Sequence, residues 1–513
     1  MDMPRRLSPL FTLVLTVVLL TGSSHAIPAF SRQYGTSCST CHVDFPKLND
    51  FGKAFKDAGF KFPKADEDFI KVPAIMLGAP AQKELWPHSI WPGTLPGLPM
   101  IGLRFNTFFQ VYSRNRNKFA PPDQFNPGIP RTDFQPGLFS IFTAGNFGDG
   151  IAFWVDEDFS VGGDNSAGGL GDGYLKFHDI GRLFKLPKDA LNLRVGQFEI
   201  DLPFSPARSW NLSGWDIYDE ANFGAANGLG PGVNNSFAFS SPGQGVELSG
   251  GHNYGGYHYS LAVLNQNTSG TSAATCDPAN PSCNGAPNVS PAVGIFSDSN
   301  FKDLYGRFQY RFNLEKDAAS RNDIQAAGAT RPRDHTYLQL GTYYFYGRSV
   351  QRANLESGTV LTAREPFYRT GADFSFNYRT FNLFGMWMYG RDQSQVLNGA
   401  QTALITAPAA HFNGGFLEAD YLALPWLMTI LRYDRVQSTA DFLNTNPLDG
   451  NFFLPASATR NRITPGVQFL IHANIKTSFE YQIRPKQAGT DTNGNPVGPL
   501  RTNQAVAGLE WVY

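Results

Sequence analysis

From about Ile101 to the last residue, Tyr513, apolar and polar residues alternate with a period of two, the spacing of a strand with one oily and one wet face. In Asn474 to Arg484, Ile475, Thr477, Phe479, Tyr481 and Ile483 fall on one side. Lys476, Ser478, Glu480, Gln482 and Arg484 fall on the other. The same split sets Leu304, Phe308, Tyr310 and Phe312 against Arg307, Gln309 and Arg311, and Tyr368, Ala372, Phe374, Phe376 and Tyr378 against Arg369, Asp373, Ser375 and Asn377. A soluble sandwich would show the same alternation in any one strand. What separates the two is the number of strands and the two ends of the chain.

The N-terminus carries an export signal. Met1 to Ala26 holds Arg5 and Arg6, the apolar run Leu10 to Leu20, and Ser24-His25-Ala26, with small residues at the two positions a signal peptidase reads. Cleavage would leave Ile27 as the mature N-terminus. The alternative is a membrane anchor, but the run is shorter than the roughly 20 apolar residues that span a bilayer. Nothing later in the chain is apolar for long enough to form a spanning helix, so a membrane form of the mature chain has to be a closed barrel. Composition agrees: 17% of residues are charged, 14% are aromatic, and there are 52 Gly and 35 Pro. Soluble domains carry roughly 25% charged residues, and this mixture suits strands and turns. A net charge of -1 with no basic face excludes a binder of nucleic-acid phosphates.

At the C-terminus Ala505, Ala507, Leu509, Trp511 and Tyr513 share one face, which resembles the terminal strand of bacterial outer-membrane barrels, with tyrosine in place of the commoner phenylalanine. Counting back from Tyr513 in the periplasm predicts about 16 strands whose connections alternate between tight turns and long loops. Tight joins are expected at Arg379-Thr380, Ala423 to Pro425 and Ala473, and long outer loops at Gln266 to Asn300, Asp392 to Ala410 and Gln437 to Thr459. The first strand falls near Ile101 to Tyr112. Leu314 to Asp334 is long where a short periplasmic turn is wanted. Arg104, Asp156, Lys176, Arg194, Arg307, Arg311, Arg369, Asp373, Glu418, Arg432 and Glu480 would face inward and line either a hydrated lumen or the seat of a plug. The fold class is thus an all-β transmembrane barrel of antiparallel strands with a small N-terminal helical segment.

Four cysteines form two local pairs. Cys38-Ser39-Thr40-Cys41-His42 is the C-x-x-C-H pattern, in which two thiols add to the haem vinyl groups and the adjacent histidine binds the iron. The competing reading is a redox disulfide or half a zinc site, but no second C-x-x-C follows. Cys276 and Cys283 bracket a polar loop and read as a small disulfide outside the inner membrane. Val43 to Phe62 predicts a helix behind the motif, with Pro46 in its first turn, Leu48, Phe51, Phe55 and Ala58 on one face, and Gly59 as a left-handed cap. Lys64 to Pro99 is a Pro-rich connector.

Ile27-Pro28-Ala29-Phe30-Ser31-Arg32-Gln33-Tyr34 ahead of the motif, then Phe45-Pro46-Lys47-Leu48 and Phe51-Gly52-Lys53-Ala54-Phe55-Lys56 behind it, resemble the N-terminus of the fused cytochrome-porin family. That family includes outer-membrane cytochromes of bacteria that oxidise ferrous iron. The matched residues run only from about Ile27 to Phe60; beyond them the resemblance is one of architecture and length. It implies one covalent haem c on Cys38 and Cys41, His42 as proximal iron ligand, and a monohaem segment lying in or under a porin barrel. The expected organisation is a signal peptide at 1–26, a cytochrome segment and connector at 27–99, and a barrel at 100–513. Met76, His88, Met100, His178 and His258 are candidates for the sixth ligand. Asp216, Asp219 and Glu220, between Trp215 and Glu220, could dock hydrated iron or be a solvated loop.

Three functions remain open. The first is an electron-transfer protein, in enzymatic form an iron:cytochrome oxidoreductase, with ferrous iron as donor, a periplasmic c-type cytochrome as acceptor and outer-membrane lipid around it. The second is a diffusion porin whose haem segment is a plug or redox sensor. The third is a haem-bearing adhesion or assembly protein.

Overall fold

The structure, a computed structural model, describes residues 29–44, 46–62, 101–112, 132–135, 137–147, 150–160, 169–209, 211–221, 239–265, 301–314, 336–354, 360–393, 395–397, 403–406, 409–439, 459–485 and 503–513, with 66, 75–76, 84–85, 94–95, 454–455, 489–490 and 496–497. The signal segment and its cleavage site, the Cys276 and Cys283 pair, His88, Met100 and the side chain of Met76 lie outside the described residues.

Sixteen strands, counted among the described residues, pair antiparallel in chain order. They are β1 (Ile101–Tyr112), β2 (Thr132–Gln135 continued by Leu138–Asn146), β3 (Ile151–Ser160), β4 (Gly169–Phe177), β5 (Asn192–Phe198), β6 (Gly243–Gly251), β7 (Gly256–Leu264) and β8 (Asp303–Asn313). They continue with β9 (Tyr337–Asn354), β10 (Val360–Tyr378), β11 (Phe381–Asp392), β12 (Ala410–Leu424), β13 (Leu427–Ser438), β14 (Thr459–His472), β15 (Ile475–Gln482) and β16 (Gln504–Val512). β16 closes on β1, with Gln504 opposite Tyr112 and Val512 opposite Arg104, so the sheet is a barrel with no free edge.

The alternation sorts as the sequence predicts. On β15 Phe479 is 46% exposed while its neighbour Glu480 is 5% exposed. On β8 Leu304, Phe308, Tyr310 and Phe312 face out, and Arg307, Gln309 and Arg311 are buried inside. Leu261, Val263, Leu340, Trp387, Leu417 and Leu431 continue the outward apolar surface round the barrel. In water that surface would be a large uncompensated cost. In lipid it is matched, and closure satisfies the strand hydrogen bonds, so this is a membrane-spanning barrel of the outer-membrane type. Phe479→Arg places a charge on the lipid face and is expected to impair insertion by about 2–4 kcal/mol if near the midplane, read from folding into bilayers against denaturant.

Tight turns gather at one end. β10 passes to β11 through Arg379-Thr380, with Arg379 at φ +54°. β12 passes to β13 through Pro425-Trp426, one step beyond the expected join, and β14 to β15 through Ala473-Asn474. Long connections gather at the other end. The connection 314–336 is long yet belongs to the tight-turn end, and its two ends meet where Leu314 N–H donates to Thr336 C=O. The strand number is unaffected.

The N-terminal segment sits inside the bore at the tight-turn end. It comprises α1 (Ala29–Tyr34), a 3-10 turn at Cys38–Thr40, a small hairpin pairing His42–Asp44 with Lys47–Leu48, and α2 (Asp50–Asp57). The helix is shorter than Val43 to Phe62: residues 42–48 form the hairpin, with Pro46 in its turn, and Asn49 caps α2 by accepting from Gly52 N–H. Gly59 ends the helix at φ +79° as expected. Phe60 N–H returns to Phe55 C=O and Gly59 N–H to Lys56 C=O, a Schellman closure.

Both guanidinium ends of buried Arg311 on β8 donate to the Asp50 carboxylate at 2.7 Å, and the guanidinium stacks 3.6 Å over Tyr337. Lys47 donates to Asn382 at 2.7 Å, and Asp57 accepts from Asn253 N–H at 3.0 Å. Phe60 meets Trp154 of β3 at 5.7 Å between ring centres.

Candidate functional site

The C-x-x-C-H turn is held from behind by residues the sequence reading passed over. Asn49 is fully buried; its side-chain amide donates to Ser39 C=O at 3.2 Å and Thr40 C=O at 3.0 Å, and its own N–H donates to Cys41 C=O at 2.9 Å. Gly52 lets α2 approach this turn: a Cβ there would lie 2.1 Å from the Cys41 carbonyl oxygen. Phe30, Tyr34, Phe51, Phe55, Phe60 and Phe62 pack into one aromatic cluster beside the motif.

Cys38 and Cys41 are free and half-buried rather than joined as a disulfide. Burial pushes the Cys38 thiol up and the Cys41 thiol up to about 12. Among the described residues no cluster of three or more His, Cys, Asp or Glu could hold a metal. His42 Nδ1 lies 3.2 Å from Pro46 C=O. A carbonyl only accepts, so the proton is on Nδ1, and Nε2 carries the lone pair that a metal takes. Burial pushes the ring down to about 4, keeping it neutral.

Cys38, Cys41 and His42 all open on one cavity of about 620 Å³. The motif side is apolar, with Phe30, Leu48, Phe55, Phe60 and Phe62. The far side is the barrel wall and inner loop, with Arg104, Asp156, Asp172, Glu199, Arg208 and Glu510. A flat apolar group with charged edges, attached through two thiols and one imidazole nitrogen, fits this donor set and this lining.

Beyond the cavity the described parts of the connection 199–242 turn into the bore, among them α3 (Asp216–Ala221). Trp215 stacks on Phe416 at 4.6 Å, and Phe204, Ile217, Tyr218 and Phe239 pack with Tyr343, Phe345, Phe384, Met386 and Met388 from the wall. A lumen lined only by hydrated charges was one expectation; instead an apolar core fills part of the bore, and the inward charges are tied to the inner loop, to the N-terminal segment or to one another. Glu418 accepts from Trp215 Nε1 at 2.8 Å and from Asn211, and Arg432 donates to Ser213 C=O at 2.9 Å. Arg307 pairs with Asp373 at 2.8 Å and Arg369 with Asp392 at 2.5 Å.

The acidic run is neither an open iron dock nor a solvated loop. Asp216 pairs with Arg462 at 3.1 Å and Glu220 with Arg460, while Asp219 alone of the three is exposed. His258 is bound to Asp201 at 3.1 Å. His178 Nε2 is buried without a hydrogen-bond partner and would sit 2.9 Å from a Cβ at Gly59, against the outside of α2 rather than in the cavity. Neither histidine lines the cavity.

Glu480 is not an idle lumen charge. It accepts from Leu212 N–H at 2.6 Å, Ser213 N–H at 3.2 Å and Ser213 Oγ–H at 2.5 Å. Glu480→Gln is therefore expected to weaken the seat of the inner loop by about 1.5–3 kcal/mol and to raise single-channel conductance noise, where a free lumen carboxylate would leave both unchanged.

No protein-family model matches the sequence, and no curated protein matches it. Among solved structures the chain is similar to the outer membrane channel DcaP of Acinetobacter baumannii, with 10% identity, a TM-score of 0.42, and 80% of this chain and 96% of that one covered. An anion-selective porin from Comamonas acidovorans gives 12% identity and a TM-score of 0.44, covering 80% and 98%; OprB of Pseudomonas putida gives 10% and 0.43, covering 80% and 94%. The chain is a porin-like barrel on the strength of its own closure and outward apolar surface.

Proposed function

We propose that the protein is an outer-membrane electron-transfer cytochrome that passes single electrons from an extracellular donor, ferrous iron being the best candidate, to a periplasmic c-type cytochrome by way of a haem c held in the barrel. One observation supports this above the others: both motif thiols and the His42 ring open on one cavity inside the bore, with His42 Nδ1 engaged by Pro46 C=O. The resemblance of Ile27 to Phe60 to the cytochrome-porin family points the same way. Cys38 and Cys41 would hold the haem through thioether bonds, and His42 would bind its iron.

When bound, the haem supplies a one-electron iron couple at neutral pH. The chain's own residues prepare for it. Asn49 and Gly52 hold the turn that presents the two thiols, Pro46 orients the imidazole, and the aromatic cluster excludes water from one face. Arg311 fixes the segment inside the bore. A hydrocarbon layer is roughly 30 Å thick, so a haem outside the barrel would be too far from one side to exchange electrons with it. The donor gives up one electron as Fe²⁺ becomes Fe³⁺, and ferric iron need not enter the cell.

The diffusion-porin reading has the barrel architecture itself in its favour. Two measurements separate the readings: conductance in planar bilayers, and reduction of the haem absorption band in proteoliposomes by a membrane-impermeant reductant. Low conductance with reduction by the external reductant supports electron transfer; high conductance with a haem that the reductant leaves oxidised supports the porin.

A further inference from the structure

Two cations line the cavity with no hydrogen-bonded carboxylate among the described residues. Lys56, on α2, and Arg208, on the inner connection, both line it, and the Lys56 ammonium makes no ion pair or hydrogen bond among the described residues. The Arg208 guanidinium lies 3.7 Å from Asp172 and 4.0 Å from Glu199, beyond hydrogen-bond reach. Those carboxylates are engaged elsewhere: Asp172 accepts from Glu199 N–H at 2.7 Å, and Glu199 from Ser205 Oγ–H at 2.8 Å. The other cations at this wall are committed too, Arg104 to Glu510 at 2.6 Å and Arg194 to Glu247.

We infer that Lys56 and Arg208 form a two-sided clamp for the propionate carboxylates of the haem, one cation from the segment that carries the motif and one from the barrel's inner connection. The inference rests on the function proposed above. Burial, with the charges of Arg208 and Arg194, pushes Lys56 down to about 7 against the opposing pull of Asp172 and Asp57. Carboxylates placed between them would reverse that and would give charge-assisted bonds to both. The arrangement also gives the barrel a grip on the cofactor that is independent of the thioether bonds, so that segment and inner connection are locked together once the haem is attached.

The test uses the full-length protein matured with covalent haem, and compares it with Arg208→Gln and Lys56→Gln. Haem stain after denaturation reports first on the reading beneath: a protein without covalent haem refutes that reading, whatever the clamp does. With haem present, resonance Raman spectra report the propionate bending band and a redox titration reports the midpoint potential. The clamp predicts that the propionate band shifts in each variant and that the midpoint falls, because losing a nearby cation favours the more positive ferric state. Arg208→Lys should recover most of the potential. A midpoint that falls while the propionate band stays put would mean a through-space charge only and would overturn the clamp. Unchanged band and potential would overturn it as well.

Discussion

Protein in which Cys38 and Cys41 are both replaced by alanine carries no covalent haem. Thioether bonds survive unfolding, so the native protein, matured in a host competent for c-type cytochromes and processed to begin at Ile27, gives a haem-stained band after denaturation, and the double variant gives none. The effect is all-or-none because these are the free thiols that open on the cavity. The variant barrel should still insert, since neither thiol touches the strand ladders. A stain that persists in the double variant would remove the motif from the chemistry.

Arg311→Ala should release the N-terminal segment from the bore. The substitution strands Asp50, 6% exposed, without its bidentate partner and removes the stack on Tyr337, and breaking a buried pair in this way costs about 3–5 kcal/mol. The remaining polar ties are fewer and more exposed: Lys47 to Asn382 at 2.7 Å and Asp420 at 3.9 Å, and Asp57 to the Asn253 N–H at 3.0 Å and side-chain amide at 3.2 Å. Limited proteolysis from the tight-turn side should then cut within 29–62 in the variant and spare the native protein, while planar-bilayer conductance rises. Protection equal to the native protein would mean that the segment is held by its aromatic contacts, chiefly Phe60 on Trp154. The Arg311→Ala/Asp50→Ala pair should recover part of the loss, because the buried Asp50 carboxylate is gone and the Lys53 ammonium that also paired with it at 3.3 Å is partly exposed.

Strand by strand, legibility depended on whether the two faces differ in polarity. β8 and β15 could be read from sequence because polar and apolar side chains alternate along most of their length, and β1 falls on its expected Ile101–Tyr112. β11 could not. Its inward residues include Phe384, Met386 and Met388, as apolar as outward Trp387, because they pack on an inner loop rather than on water. Alternation announces a strand; it does not announce what fills the lumen. The inward charges were legible as inward, yet their partners were not, since Arg311 and Asp50, or Glu480 and Ser213, are hundreds of residues apart in sequence.

At the motif the proposed haem chemistry rests on Cys38, Cys41 and His42, a local pattern. The supports were less visible: Asn49 and Gly52 act through one buried turn, and the polar spacing of 42–48 gave no sign that a hairpin would displace the first turns of the expected helix. The acidic run at Asp216 and Glu220 misled for a related reason. Its counterions, Arg462 and Arg460, come from β14 across the bore.

The central claim is that electrons cross the membrane through this barrel from a donor on the loop side. Stopped-flow mixing of oxidised protein in proteoliposomes, loops outward, with ferrous iron, followed at the haem absorption band, tests it most directly. Rapid reduction from outside, with slow reduction when the same iron is trapped within, is the predicted result. No reduction by ferrous iron, alongside equal reduction by a small organic donor from either side, would contradict it and leave a barrel that conducts solutes rather than electrons.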